Sequence, residues 1–413
     1  MNAPPMIDMM EATRLTREGR LAEAMAVLRG APAGASAGTG PDLERGAGRT
    51  PPVRTPTILD MAPPSPSGGA WTLPQFREAR PERPGGMSRP HTPEALRRFL
   101  DRIGQPDAAR RIDGLSGRAG LRAPIAVPDG ARFEEHTYAN AAGTRSYKLY
   151  VPSGYNGQAL PLVIMLHGCT QSPDDFAAGT RMNDLAEEKT FLVAYPAQTQ
   201  AANASKCWNW FSAGNQQRDQ GEPSLIAGIT RRIIQDYPVE RGCVYIAGLS
   251  AGGAAAATMG ATYPDLYAAV GVHSGLACGV ASDVPSAFAA MRQGGSQVMG
   301  RSRLQGAGAG IPTIVFHGDR DTTVNPINGD QVIAQSKAAA DLRISVSRGE
   351  AAGGIRYTRT VQADESGRPM LEQWVLHGAG HAWSGGSATG TYTEPRGPDA
   401  SREMMRFFLQ QRF

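Results

Sequence analysis

The sequence predicts an α/β protein, a mostly parallel sheet with helices on both faces, from three observations. Short apolar runs bounded by turn residues recur from about Arg132 onwards, at Leu160–Leu166, Phe191–Tyr195, Cys243–Ala247, Ala268–Val272, Ile311–Phe316 and Leu371–Leu376. Strands that are apolar throughout, rather than alternating, belong to sheets covered on both sides. Helical stretches separate several of them, notably Leu225–Tyr237, and Ser401–Phe413 reads as a last helix. Finally, one apolar run leads straight into Gly248-Leu249-Ser250-Ala251-Gly252 and then a stretch of very small residues, Ala254–Ala257.

Three regions follow one another along the chain. Residues 1–30 read as a short amphipathic helical segment broken near Gly19. Met6, Met9, Met10 and Leu15, then Leu21, Met25 and Leu28, recur at spacings near three and four. Such a segment either docks on the following domain or offers a sticky face to a partner or an apolar particle. Residues 31–125 form a Pro/Gly/Arg-rich linker; positions 31–90 alone hold 12 Pro and 9 Gly, too little apolar surface to offset chain entropy, so the linker is expected to be largely disordered. Within it, Thr92-Pro93-Glu94 has the form of a helix start, ahead of Leu96, Phe99, Leu100 and Ile103. Residues 126–413 are expected to be the catalytic domain, opening with a strand pair, Arg132–Ala139 and Thr144–Val151, around the turn Asn140–Gly143.

Composition excludes several function classes. No run approaches the ~18 apolar residues of a membrane helix, so no transmembrane segment is expected. The net charge of +4 arises within residues 1–130, where 18 Arg face 14 acids, while residues 131–413 balance at 24 and 24. This mild, dispersed excess lacks interleaved aromatics and suits a solvated linker, so nucleic acid is not an expected partner. Four cysteines match no zinc spacing, and no metal is expected. Asp8, Glu11, Arg14, Arg17, Glu18 and Arg20 interrupt the first thirty residues, leaving no uninterrupted ~7–15-residue apolar core of a secretory signal, which points to the cytoplasm.

G-x-S-x-G after a buried strand is the form of a nucleophile elbow. The tight turn exposes the Ser250 hydroxyl, and glycines at 248 and 252 let strand and helix approach closely. The Ala251 amide, at the helix N-terminus, can face a developing oxyanion. The earlier strand Leu162–Leu166 ends in His167-Gly168-Cys169-Thr170, where the Cys169 amide is placed as a second oxyanion donor; His167 reads as structural. A later strand runs into His317-Gly318-Asp319-Arg320-Asp321. Asp321 is favoured as the acid over Asp319, because the extra residues carry it past the sheet edge. The last strand ends near His377 and continues through Gly378-Ala379-Gly380-His381-Ala382-Trp383. His381, in the glycine-rich loop, is favoured as the base over His377. The order Ser250, Asp321, His381 is that of an α/β-hydrolase fold. Such a triad needs no cofactor. Trp208, Trp210 and Trp383 are candidates for the substrate surface, Trp383 foremost, or else for packing of their loops.

The segments HGCTQSPDDF (167–176), CWNWF (207–211), AGLSAGG (247–253), HGDRDTTVNPIN (317–328) and GHAWSGG (380–386) resemble the type 1 catalytic domain of poly(3-hydroxybutyrate) depolymerases, a family that also holds feruloyl and acetylxylan esterases. The resemblance covers about residues 130–413 and implies an α/β-hydrolase fold and a serine esterase for short-chain polyhydroxyalkanoates or their oligomers. It implies Ser250, Asp321 and His381 as the triad, the Cys169 and Ala251 amides as the oxyanion hole, and a Cys169–Cys207 disulfide. Cys243 and Cys278 are left as a second pair or two buried thiols. Typical members are secreted; lacking a visible signal, this chain resembles members proposed to act on intracellular storage granules, which the N-terminal helices would contact. The competing readings are a feruloyl or acetylxylan esterase, an extracellular setting and, from another class, a non-catalytic granule-binding protein.

Overall fold

The computed structural model describes residues 125–295, 310–337 and 341–412. The helical segment expected at 1–30, the linker up to residue 124 and the helix start at Thr92 lie outside the described residues. The hairpin forms as expected: β1 (Arg132–Asn140) and β2 (Gly143–Val151) pair antiparallel, and Gly143 closes the turn at φ 129°.

The apolar runs become β3 (Leu160–Leu166), β4 (Leu192–Pro196), β5 (Val239–Leu249), β6 (Ala269–His273), β7 (Thr313–Gly318) and β10 (Pro369–Leu376). Two further strands, β8 (Arg343–Glu350) and β9 (Arg356–Ala363), precede β10. The sheet order is β1-β2-β4-β3-β5-β6-β7-β10-β9-β8. From β4 to β10 every neighbouring pair is parallel, and the flanking pairs are antiparallel. β4, β6 and β7 are buried at every position, which is why their sequences carry no alternation. The β8–β9 hairpin was not expected. β8 is largely exposed, and its Arg-Ile-Ser-Val-Ser-Arg alternation lacks the apolar density of a core strand.

Two helical layers cover the sheet. α1 (Pro173–Thr180), α2 (Met182–Lys189) and α7 (Ala400–Phe408) pack on one face through Phe176, Met182, Leu185, Met404, Met405, Phe407 and Phe408. α3 (Gly221–Asp236), α4 (Ala251–Thr262), α5 (Val284–Gln293) and α6 (Ile327–Ser336) cover the other, around Ile226, Ile229, Met259, Ala287 and Val332. α4 is short of large side chains because it lies closest to the sheet.

Glu372 of β10 is fully buried, and four donors from three elements converge on it. Arg359 of β9 donates at 2.8 and 3.0 Å, Trp374 Nε1 at 2.7 Å, and Arg406 of α7 completes the set. This cluster fastens α7 and the β8–β9 hairpin to the parallel core. Glu372→Ala strands two guanidiniums that retain partial access to water. It is expected to lower unfolding stability by about 2–3 kcal/mol in urea titration, whereas Glu403→Ala, at the exposed side of Arg406, should cost under ~1 kcal/mol.

Candidate active site

The chain leaves β5 through Ser250 at φ 58° and ψ −119°, a left-handed conformation that a serine adopts at a cost, and enters α4 at once. A Cβ on Gly248 would run into the Gly252 carbonyl, and one on Gly252 into the Leu166 carbonyl of β3. The two glycines are therefore dictated by the meeting of three backbones. The elbow is held by two bonds: Ser250 N–H donates to the His273 carbonyl at 2.9 Å, and the Ser250 carbonyl accepts from Ala254 at 2.9 Å.

Beside it runs the loop after β3. Gly168 N–H donates to Gln171 Oε1 at 2.9 Å; Gln171 Nε2 donates to the Thr391 carbonyl at 3.1 Å and to Asp175, which also accepts the Thr391 N–H at 3.0 Å. A disulfide joins Cys169 to Cys207, and Thr170 N–H donates to the Ser205 carbonyl at 2.7 Å. Cys243 and Cys278 are separate buried thiols. Cys169 and Ala251 line the same narrow cleft as Ser250, and neither amide N–H donates to another group among the described residues.

Past β7, Asp321 is buried and saturated. Its Oδ1 accepts the Thr323 and Val324 amides, both at 2.9 Å, and its Oδ2 lies 2.7 Å from His381 Nδ1 and 3.4 Å from His317 Nε2. Burial alone would raise this carboxyl; the charge of His381 and the bonds from His317 and His381 outweigh it and hold it well below the usual carboxylate range. Asp319 and His377, the alternative acid and base, pair with one another instead, Oδ2 to Nδ1 at 2.9 Å. The Asp321 loop reaches the cleft through Val324, which lines it with Ser250. His273 ties the elbow to the His381 loop. Its carbonyl holds Ser250, and its Nε2 accepts the Ser384 N–H at 3.0 Å, three residues beyond His381.

Of the three tryptophans, Trp210 lines the cleft, with Phe211 beside it. Trp208 and Trp383 do not serve as surface. Trp208 is fully buried and donates to the His167 carbonyl at 3.1 Å, beneath the loop after β3. Trp383 stacks on His273 and donates to Ser401 at 3.1 Å. Apolar groups from elements between β6 and α6 make up one wall, Leu276, Val284, Ala287, Phe288 and Met291, while Asn203 and Ser205 add polar groups from the loop that holds Cys207. Sequence reasoning missed these, and it missed Glu222. Buried at the start of α3, Glu222 binds Gln198 and accepts the Asn209 backbone and side-chain N–H groups at 2.7 Å each, fixing the Trp-bearing loop. Burial raises its carboxyl. A groove of about 740 Å³ between the β1–β2 hairpin and α3 shares none of the cleft residues. Among the described residues no cluster of metal-ligating side chains occurs.

The sheet order, the elbow after β5 and the buried acid–imidazole pair after β7 and β10 define an α/β-hydrolase. An acetyl xylan esterase from Aspergillus awamori superposes on 67% of this chain and 99% of its own, with a TM-score of 0.52 at 20% identity, which supports the fold. The family model described as esterase PHB depolymerase matches residues 145–358, just over half of the sequence, and the chain belongs to that family. Among curated relatives, poly(3-hydroxyalkanoate) depolymerase C of Paucimonas lemoignei is 31% identical over 239 residues, 56% of this chain and 57% of the relative. Acetylxylan esterase A of Talaromyces purpureogenus is 30% identical over 203 residues, 46% of this chain and 52% of the relative. The chain thus spans little more than half the length of these two proteins.

His167 gives the loop after β3 a pH dependence. Its Nε2 accepts the Gln198 N–H at 3.0 Å, so Nδ1 carries the proton and donates to the Gly168 carbonyl at 2.7 Å. Burial lowers it to about 4 from 6.5. The unfolded chain therefore binds more protons between those values, and stability falls as the pH is lowered through the window, by up to about 3 kcal/mol from this group. Buried His273 is lowered in the same sense. Urea titrations at pH 7 and pH 4.5 should show this loss, and His167→Gln should show a smaller difference between the two pH values than the parent protein.

Proposed function

We propose that this chain is a serine carboxylic ester hydrolase that cleaves short-chain polyhydroxyalkanoate, poly(3-hydroxybutyrate) or its oligomers, with Ser250, His381 and Asp321 as its triad. The observation that carries the reading is a hydroxyl on a strained elbow beside two undonated amides, with an Asp321–His381 pair on loops tied to the cleft and the elbow through Val324 and His273. His381 takes the Ser250 proton as the oxygen attacks the ester carbonyl. The Cys169 and Ala251 amides hold the tetrahedral oxyanion, and His381 then protonates the leaving alcohol. Water hydrolyses the acyl-enzyme by the same route, while Asp321 orients the imidazole and stabilises its charged form. The apolar wall from Leu276 to Met291 suits an aliphatic hydroxyacyl chain better than a sugar-borne ester. The proposed setting is the cytoplasm, at a storage-granule surface.

The second reading, a feruloyl or acetylxylan esterase, is favoured by the relatives that carry those names. Two measurements decide between enzyme and mere binder, and between substrates. Ser250→Ala is expected to abolish hydrolysis of nitrophenyl butyrate in a folded protein, and Asp321→Asn to lower turnover by about 10⁴; full activity in Ser250→Ala would remove that residue from the mechanism. Release of 3-hydroxybutyrate from amorphous granules is expected to exceed release of ferulate or acetate from xylan, and the reverse order would establish the second reading.

A further inference from the structure

The loops that carry Asp321 and His381 also wall a second cavity, of about 490 Å³, at the end of the sheet where β10, β9 and β8 lie side by side. Arg320, Arg348, Arg356, Tyr357, His377 and Asp319 face it. Asp319 is already engaged, by His377 and by the Gly378 N–H at 2.7 Å, and His377 Nε2 lies 2.8 Å from the Thr358 hydroxyl. The three guanidiniums are not. Among the described residues none of them forms a salt bridge or side-chain hydrogen bond, although Arg320 lies close enough to Asp319 to lower its carboxyl further, after burial, which opposes this, and the bonds from His377 and Gly378. Glu350, opposite Arg356 in the β8–β9 register, forms no side-chain bond or salt bridge with it and does not face the cavity. The cavity therefore sets three guanidiniums against the single carboxylate of Asp319. Guanidinium groups gathered around a concavity and outside any salt bridge are suited to a carboxylate, which they grip through paired N–H donors.

We propose that this cavity holds the free carboxylate end of a linear hydroxyacid oligoester, on the leaving-group side of the bond being cut. The proposal rests on the esterase reading above and specifies its substrate class. Scission of a polyester leaves one hydroxyl end and one carboxylate end, so carboxylate-terminated chains accumulate as the reaction proceeds. The leaving alcohol belongs to the fragment that keeps the carboxylate terminus, and it is the fragment His381 protonates. His381 and His377 stand on one loop, and Arg320 N–H donates to the Ala379 carbonyl between them at 3.0 Å, so the arginine cavity adjoins the loop that carries the proposed base. Ser250 follows β5 and His377 follows β10, three strands away, about 15 Å at the usual strand spacing. A hydroxybutyrate repeat of four backbone bonds covers roughly 5 Å, judged from the 3.8 Å spanned by three peptide bonds, so about three repeats bridge the two sites. Tyr357 closes the far wall. Its phenol lies over Gly349, where a Cβ would strike the hydroxyl.

The test compares a 3-hydroxybutyrate tetramer bearing a free carboxylate with its methyl ester. The parent protein is expected to use the free acid with roughly tenfold or higher kcat/KM, mainly through KM, and added salt should shrink the ratio. In R320Q/R348Q/R356Q the ratio is expected to fall to near one. Because it is internal to each preparation, loss of folded protein cannot imitate the effect. Calorimetric binding of the two tetramers to Ser250→Ala protein gives the same comparison without turnover. Equal use and equal binding of acid and ester by the parent, or a preference that survives the triple substitution, would overturn the proposal while nitrophenyl butyrate hydrolysis still stood for the esterase reading. Selective binding of the acid without hydrolysis of any ester would support the cavity and overturn that reading.

Discussion

Three backbones meet at Gly248, Gly252 and the Leu166 carbonyl with no room for a methyl group, and the rest of the site is arranged around that contact. β3 and β5 pair in register at Leu166 and Gly248. The chain then leaves the two strands in opposite directions: α1, after β3, packs on one face of the sheet, and α4, after β5, on the other. A crevice necessarily opens between strand ends whose connections part in this way. Ser250, Cys169 and Ala251 lie at this crevice because each stands just past the end of β3 or β5.

What stabilises the crevice is a set of buried imidazoles kept neutral by burial. His167 braces the loop after β3 against Gln198, and His273 braces the elbow against the His381 loop. Each ring accepts a distant amide N–H at Nε2 and turns Nδ1 to its own neighbour, so each ties one remote stretch of chain to its own. Asp321 differs in being charged, and it is tolerated in the interior because amide and imidazole donors occupy both of its oxygens.

The sequence made the parallel core legible because strands buried on both faces must be apolar without interruption. It was less informative about β5, whose first residues, Val239, Glu240 and Arg241, sit at the less buried end and break the pattern. The β8–β9 hairpin escaped because half-exposed antiparallel strands share their composition with loops. The elbow was readable from local chemistry alone. The pairing of Asp321 with His381, and of Asp319 with His377, required knowing how two loops some sixty residues apart align. Which face of a loop a tryptophan takes is a matter of tertiary packing, so Trp208 and Trp383 could not be told from Trp210. Asp175 was unreadable for the same reason, since its partner Thr391 lies 216 residues away, and Glu222 because its partner Asn209 sits in a loop whose path the sequence does not fix.

All four cysteines of the chain fall within the described residues, two joined across the mouth of the cleft and two enclosed in the interior. The folded, oxidised protein therefore presents no sulfhydryl to a soft electrophile. Maleimides and iodoacetamide should leave no label until a reductant is supplied, so covalent inactivation by a fluorophosphonate can be ascribed to an oxygen nucleophile without the ambiguity that an accessible thiol would introduce.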